Sequence, residues 1–199
     1  MAEPGYQSLI SYKLAQLAFD LGWPACNAWC VASAGREFVP LYYHKYEDNR
    51  QRDQIKQALR SLKQNIVEGS SERSLSSKLK LYDVAKASGM EAREDFEDIL
   101  RRMGLSRWSK DNPRLARLRQ TFESSPSTSF SLPSIFTWVH QKELEGRDGL
   151  EEIVNYELDL LIRCGYLLDQ QIRAVEKKHT EEGGYNENLL KKRLDYRRR

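Results

Sequence analysis

Cysteine is scarce in this 199-residue chain, and its three copies, Cys26, Cys30 and Cys164, are odd in number. Such a set argues for a reducing compartment and against a disulfide framework, because a stapled secreted domain pairs its thiols. Cys26 and Cys30 stand one helical turn apart with no third ligand nearby, so no metal site is expected from them. Histidine is just as sparse: His44, His140 and His179 are scattered, without the carboxylate and second histidine that a helical metal site needs. Glycine-rich phosphate loops, nucleophile elbows and paired catalytic carboxylates are missing. Glu91, Glu94, Asp95 and Asp98 crowd one segment, yet the Glu-x-x-His pairs of a di-metal bundle are absent. Together these absences predict a protein that is not an enzyme and carries no cofactor.

Two further absences bound its location. The apolar stretch Leu14 to Ala34 is interrupted by Gln16, Asp20, Gly22, Pro24 and Asn27, which favours a buried helix or helical hairpin over a membrane span. No basic segment leads into an apolar run at the N-terminus, so a secretory signal is not expected and a cytoplasmic protein is. β-alternation and regular turn spacing are also missing, which argues against a sheet.

What the chain does have is helical periodicity and charge. Charged residues make up 31%, which suits helices with one solvated face. From Asp53 to Glu68, Ile55, Ala58, Leu59, Leu62 and Ile66 form an apolar stripe, and Arg52, Lys56, Arg60 and Lys63 form a positive one beside it. Gly69 is placed to stop this helix, and the serines of Ser70 to Ser77 to cap the next. That next helix is expected to run to about Met103, with Leu75, Leu79, Tyr82, Ala85, Gly89, Ala92, Phe96, Ile99 and Leu100 on one face. Ala85, Ser88, Gly89 and Ala92 are small enough for a neighbouring helix to approach closely. Arg101 and Arg102 suit the negative end of its dipole.

Other elements are read in the same way. Tyr6 to Leu21 predicts a first helix, which Gly22-Trp23-Pro24 should end or kink. Further helical segments are expected at Ala25–Ala34 and Glu37–Glu47, followed by a charged break at Glu47-Asp48-Asn49-Arg50. From 106 to 149 regular structure weakens: Pro113 to Thr121 and Ile135 to Leu144 predict short helices around a Ser/Pro-rich linker, Ser124–Ser134. Leu150 to Lys178 predicts the last strong helix, Gly183-Gly184 a break, and Leu189 to Arg199 a basic, mobile tail. Apolar stripes on long helices must bury against one another, so the fold class is all-α, an up-and-down bundle. Leu59, Leu62, Ile66, Leu79, Tyr82, Phe96, Leu158, Leu161 and Leu168 are its expected core.

The segment Asp53-Gln54-Ile55, Gln57-Ala58, Arg60-Ser61 and Gln64-Asn65-Ile66 through Glu68-Gly69-Ser70 resembles the small bacterial four-helix-bundle proteins encoded in intervening sequences of large-subunit ribosomal RNA genes. The accessory variability protein of diversity-generating retroelements uses the same fold. Val84-Ala85-Lys86-Ala87-Ser88 with Glu91 and the acidic run Glu94–Asp98 is similar to the family's third helix. Asn155, Tyr166-Leu167-Leu168-Asp169-Gln170-Gln171 and Glu182-Gly183-Gly184-Tyr185 through Glu187, Leu189 and Arg193-Leu194 are similar to its longer branch, which carries a suffix region after the bundle. The resemblance covers most of Tyr6–Tyr12 and Tyr43–Arg198. It implies a four-helix bundle over 1–178 and a basic suffix over 179–199. It also implies a homo-oligomer, commonly five-fold, and assigns no agreed activity. Against the family pattern, Trp23–Leu41 looks like an insertion, and Leu62 and Met90 replace an expected glycine and leucine.

Candidate sites follow from charge placement, because a net charge of +3 is too small to imply a polyanion by itself. Arg52, Lys56, Arg60 and Lys63 line either a phosphate surface or a solvated face paired with Glu91–Asp98. Arg101, Arg102, Arg107, Lys110, Arg114, Arg117 and Arg119 surround Trp108, which is either a stacking residue for single-stranded nucleic acid or an anchor against the bundle. Lys191, Lys192, Arg193 and Arg197 to Arg199 add a polycation. Asn65 and Glu68 contact a ligand or, as the simpler reading, satisfy backbone groups and cap a turn. These features predict a nucleic-acid-binding accessory protein for RNA or single-stranded DNA. The alternative is a scaffold that binds a protein such as a reverse transcriptase.

Overall fold

The computed structural model describes residues 5–26, 46–123 and 132–198, and among them every regular element is helical. A 3-10 turn at Gly5–Ser8 precedes α1 (Ile10–Cys26), α2 (Tyr46–Ser71), α3 (Leu75–Met103), α4 (Pro113–Glu123), α5 (Leu132–Leu144), α6 (Arg147–Glu182) and α7 (Tyr185–Arg197). Four of these form a closed cycle: α1 packs on α2, α2 on α3, α3 on α6, and α6 on α1.

Each contact in the cycle is antiparallel. Ser61 meets Ser88 across α2 and α3, while Gly69 meets Tyr82. Lys63 lies over the Phe19 ring, while Gly22 abuts Leu59. Ser11 bonds Gln171, while Gly22 faces Glu157. Lys86 pairs with Asp169, while Ser106 just beyond α3 donates to Glu151. The core lies along the axis of this cycle: Leu59, Leu62, Ile66, Tyr82, Phe96, Leu158, Leu161 and Leu168 are buried, and Leu79 packs against them from the edge. Burying side chains of this size contributes about 1.5–3 kcal/mol each, which is why the apolar stripes decide the fold.

Ser74 caps α3, accepting from the Ser77 N–H at 3.4 Å, and Gly104 ends it in the left-handed conformation at φ 57°. The small-residue level does admit a neighbour: Ser61 and Ser88 hydroxyls lie 2.9 Å apart, and Gly89 touches Leu62.

Several boundaries differ from expectation. Helix α1 runs through Gly22-Trp23-Pro24 to Cys26. Proline so close to the end forfeits little of the hydrogen-bond ladder, and Gly22 supplies close packing on Leu59 and Glu157. Helix α2 takes in Glu47-Asp48-Asn49-Arg50, which were expected to form a break. It also passes through Gly69 to Ser71. A Cβ there would lie 2.7 Å from Tyr82 Cε1, so this glycine is a close-approach position rather than a stop. Helix α4 reaches Glu123, and α5 begins at Leu132, inside the expected linker. Helix α5 packs on α6 and α1, and α4 lies on α6. The longest helix, α6, spans Arg147–Glu182, and Gly183-Gly184 interrupts the chain as expected. The expected mobile tail is helical from Tyr185 to Arg197. Most of the Ala25–Ala34 and Glu37–Glu47 segments, and with them most of Trp23–Leu41, lie outside the described residues, as do Cys30, His44 and Arg199.

Candidate nucleic-acid interface

The basic stripe of α2 is not a continuous phosphate surface. Lys63 is half-buried, its Nζ 3.7 Å from the centre of the Phe19 ring. Burial lowers its pKa against the pull of Asp20, and burial likewise raises the Asp20 carboxyl against Lys63 and Gln16. Lys63 therefore answers an acid on α1 and not the α3 run Glu91–Asp98. Lys56 is half-buried and Arg60 exposed, and the Arg52 side chain lies outside the described residues. Asn65 serves its own helix, donating to the Ser61 carbonyl at 2.8 Å and its hydroxyl at 3.1 Å, while Glu68 is exposed.

The arginine cluster around Trp108 is largely committed to structure. Trp108 is only 8% exposed; its backbone N–H donates to Asn155 Oδ1 at 2.7 Å and its indole N–H to Glu151 Oε1 at 2.8 Å. A ring held at both ends inside the core cannot stack on a base, so Trp108 is an anchor. Arg107 donates to Glu97 at 3.1 Å and to Asn155 Oδ1 at 3.3 Å. Asn155, fully buried, spends its amide on the Ser106 and Glu151 carbonyls, which pins the loop after α3 onto α6. Arg114 lies over the Trp108 ring at 5.2 Å. Arg101 is bonded to Asp98 at 2.7 Å, with Arg102 at 3.8 Å from the same carboxylate. The hydrogen bond from Arg101 holds the Asp98 carboxyl below its usual range. Among the seven, Lys110, Arg114 and Arg117 are exposed without a carboxylate partner among the described residues.

Arg119 belongs to a network that the periodicity did not reveal. It grips Asp159 through two bonds of 2.6 and 3.0 Å, and the bond to Asp159 raises its pKa further. Arg163 bonds Asp159 at 2.9 Å and both Glu123 oxygens at 2.6 and 2.7 Å. Burial works against its charge, but the two carboxylates outweigh that and raise its pKa. Tyr156 donates to Glu123 at 3.2 Å from a stack with Phe122, and its burial raises the phenol pKa. All these acids and bases answer one another, so the network clamps α4 to α6. One hint was available: Asp159 and Arg163 stand at i, i+4 among the leucines and isoleucine of the central stretch of α6.

Glu157 is the opposite case. It is fully buried, and neither carboxylate oxygen has a hydrogen-bond partner among the described residues. Burial alone raises its pKa well above the usual carboxylate range. Cys164 is buried too, donating to the Ser11 carbonyl at 3.3 Å, with its thiol pushed up to about 12 by burial. Such a thiol is inert. Among the described residues no group of acids, histidines and cysteines is placed to hold a metal, and no helix is long and apolar enough to cross a membrane.

Helix α7 is built differently from every cluster above. All of Tyr185 to Arg198 is exposed, and the helix packs extensively on no other element. Gly184 starts it, its N–H bonded to Glu187 Oε2 at 2.9 Å. Lys191, Lys192, Arg193, Arg197 and Arg198 form no ion pair among the described residues. Tyr185, Leu189, Lys192 and Tyr196 recur at i, i+4, i+7 and i+11 and share one face. Leu190, Leu194 and Arg197 share another.

Comparison of the chain with protein-family models, with curated proteins and with solved structures finds no match.

Proposed function

We propose that this protein is a non-catalytic accessory protein that binds RNA or single-stranded DNA, and that α7 is its principal contact element. The observation that carries the reading is the concentration of five exposed cations without ion-pair partners among the described residues, Lys191, Lys192, Arg193 and Arg197 on a helix with no buried residue and Arg198 at its end. Counterion release rewards such a surface in proportion to the phosphates it neutralises. Tyr185 and Tyr196, on one stripe with Lys192, add aromatic faces on which unpaired bases stack. The arginines of α3 and the following loop are secondary, since Arg101, Arg102 and Arg107 already answer acids.

The antiparallel cycle of α1, α2, α3 and α6 supports reading the core as an up-and-down four-helix bundle, with an insertion after α1 and a C-terminal suffix. That arrangement is in keeping with the resemblance to the ribosomal intervening-sequence proteins, and with it a cytoplasmic homo-oligomer. A second reading has its own support. Leu189, Leu190 and Leu194 are 44%, 58% and 45% exposed, which suits a scaffold gripping a protein partner such as a reverse transcriptase.

Filter binding at low salt with a random single-stranded pool separates the two. Wild-type protein is retained with the pool, and the variant with Lys191, Lys192, Arg193 and Arg197 changed to glutamate is not. Equal retention of both, or of neither, hands the function to the scaffold reading.

A further inference from the structure

Between α3 and α6 runs a groove of about 270 Å³ whose floor is Leu62 and Leu161. Gly89 and Gly165 leave it open, and nothing lies within 4 Å of where a Gly165 side chain would begin. Three large apolar residues line it with much of their surface in solvent: Met90 at 56%, Ile162 at 40% and Tyr166 at 63%. Grouped exposure of this kind is surface for an apolar guest to cover. Charge at the groove is uneven, because Lys86 and Arg93 line it against Asp169 alone. Lys86 spends its charge on Asp169 at 2.6 Å. Among the described residues Arg93 answers only Glu97, at 3.8 Å, and Arg107 already bonds that carboxylate at 3.1 Å. We infer that the groove is a binding site for a small aliphatic carboxylate, with its alkyl chain on Leu62 and Leu161 and its head group on Arg93.

Size and charge both single out this ligand. At ~30 Å³ for a group the size of a water molecule, the groove holds about nine such groups. That is room for a short alkyl chain and not for a helix, which is ~10–12 Å across with its side chains. The Lys86–Asp169 pair closes one end of the groove. Arg93 stands two turns further along α3, ~10 Å away at 1.5 Å per residue. A chain laid between them has apolar contact along its length and a cation at its end. Asp169 repels a second acid at the closed end, so the head group belongs at Arg93, whose planar fork matches a carboxylate. Asp83, Glu91 and Glu94 are exposed on α3 but do not line the groove. None of the lining residues belongs to α7, so the inference stands apart from the nucleic-acid reading.

Titration of the isotope-labelled full chain with octanoate, followed through its amide resonances, tests the site. The Gly89 and Gly165 amides shift and saturate in the millimolar range, as suits so small a ligand. Octylammonium, of the same length and opposite charge, binds roughly fivefold more weakly or worse. Arg93→Gln weakens octanoate by a similar factor and, being at an exposed position, keeps the fold. Gly165→Leu puts a side chain into the open space of the groove and removes the saturable shift at Gly89. Circular dichroism checks both variants, and Arg93→Gln decides alone if the leucine is not tolerated. An absence of saturable shifts at Gly89 and Gly165 overturns the site. So do shifts confined to the cations of α7, equal binding of octylammonium, or octanoate binding that ignores the substitutions. Filter retention of the single-stranded pool reports on the other proposal alone.

Discussion

Gly22 of α1 faces the carboxyl of Glu157 on α6: a side chain begun at Gly22 would lie 3.1 Å from Glu157 Oε1 and collide with Leu59. The missing side chain thus makes room for an acid that has no hydrogen-bond partner among the described residues. An unpartnered carboxyl in that setting keeps its proton, because ionising it in an apolar core costs more than releasing the proton gains.

Stability should therefore depend on pH through Glu157, and the sign follows from linkage. The folded carboxyl has its pKa raised by burial, while the unfolded one titrates near the ordinary value of about 4.3. Below that value both states hold the proton and nothing is lost. As pH rises from there through the folded pKa, the unfolded chain gives up its proton first. Stability then falls by about 1.4 kcal/mol per pH unit until the folded group ionises too. Glu157→Gln cannot titrate, so its urea midpoint should gain on wild type between pH 4.5 and pH 7.5. Parallel midpoints across that range would show that Glu157 is not buried as a neutral acid.

Glycine-to-alanine changes separate three environments. At Gly69 a methyl meets the Tyr82 ring at 2.7 and 2.8 Å, and at Gly149 it runs into the Lys142 backbone carbonyl. Gly165 has nothing within 4 Å. Alanine gains about 1 kcal/mol of helix propensity at each, while overpacking costs about 1–3 kcal/mol where space is lacking. Gly165→Ala should raise the melting temperature, and Gly69→Ala and Gly149→Ala should lower it, with Gly149→Ala the worse because backbone cannot step aside. A stabilising Gly149→Ala would contradict the path of the turn between α5 and α6.

How much of this was legible depended on the kind of signal. Leu59, Leu62, Ile66, Phe96 and Leu168 announced themselves by spacing, since a stripe on a long helix has few places to go. The serines of Ser70–Ser77 did so as a group of cap candidates, from which the structure picks Ser74, while Gly104 was not singled out as the cap at the other end. Gly22 and Gly69 misled because a glycine that ends a helix and one that lets a neighbour close in are the same letter. Only the tertiary partner, Leu59 or Tyr82, tells them apart. Trp108 among arginines was open between stacking and anchoring until Asn155 and Glu151, more than forty residues away, were seen to hold it. The basic tail was legible as charge but not as a helix: Lys and Arg are good helix formers, but propensity is a weak signal without an apolar stripe buried on a core, and Gly184 with Glu187 supplies the start.

The clamp between α4 and α6 predicts unequal arginines. Arg163→Met leaves Glu123 with only the Tyr156 hydroxyl and Asp159 with Arg119 alone, and should cost about 1.5–3 kcal/mol, the worth of charge-assisted bonds in a part-buried network. Arg101→Met removes an exposed pair on α3 and should cost no more than ~1 kcal/mol. Urea unfolding of the two variants measures the difference. Equal losses would mean that the network contributes no more than an ordinary surface pair.

The nucleic-acid reading makes its sharpest claim about salt. If Lys191, Lys192, Arg193, Arg197 and Arg198 each meet one phosphate of a single strand, the logarithm of affinity should fall against the logarithm of salt with a slope of about −3.5. Removing Lys192 with Lys191 should flatten that slope by roughly two contacts, about 1.4, whatever the base sequence. Reversing Arg101 and Arg102 should alter it little, because Asp98 already occupies them. Tyr196, 81% exposed, adds a stacking surface that is independent of salt. Tyr196→Ala should therefore lower affinity at every salt concentration by about 1–3 kcal/mol without changing the slope, and Tyr196→Phe should leave affinity nearly intact. Fluorescence anisotropy with a labelled single-stranded oligonucleotide at four or five salt concentrations gives both slope and intercept. A slope near zero, or one that moves with Arg101 and Arg102 but not with Lys191 and Lys192, would take the interface off α7.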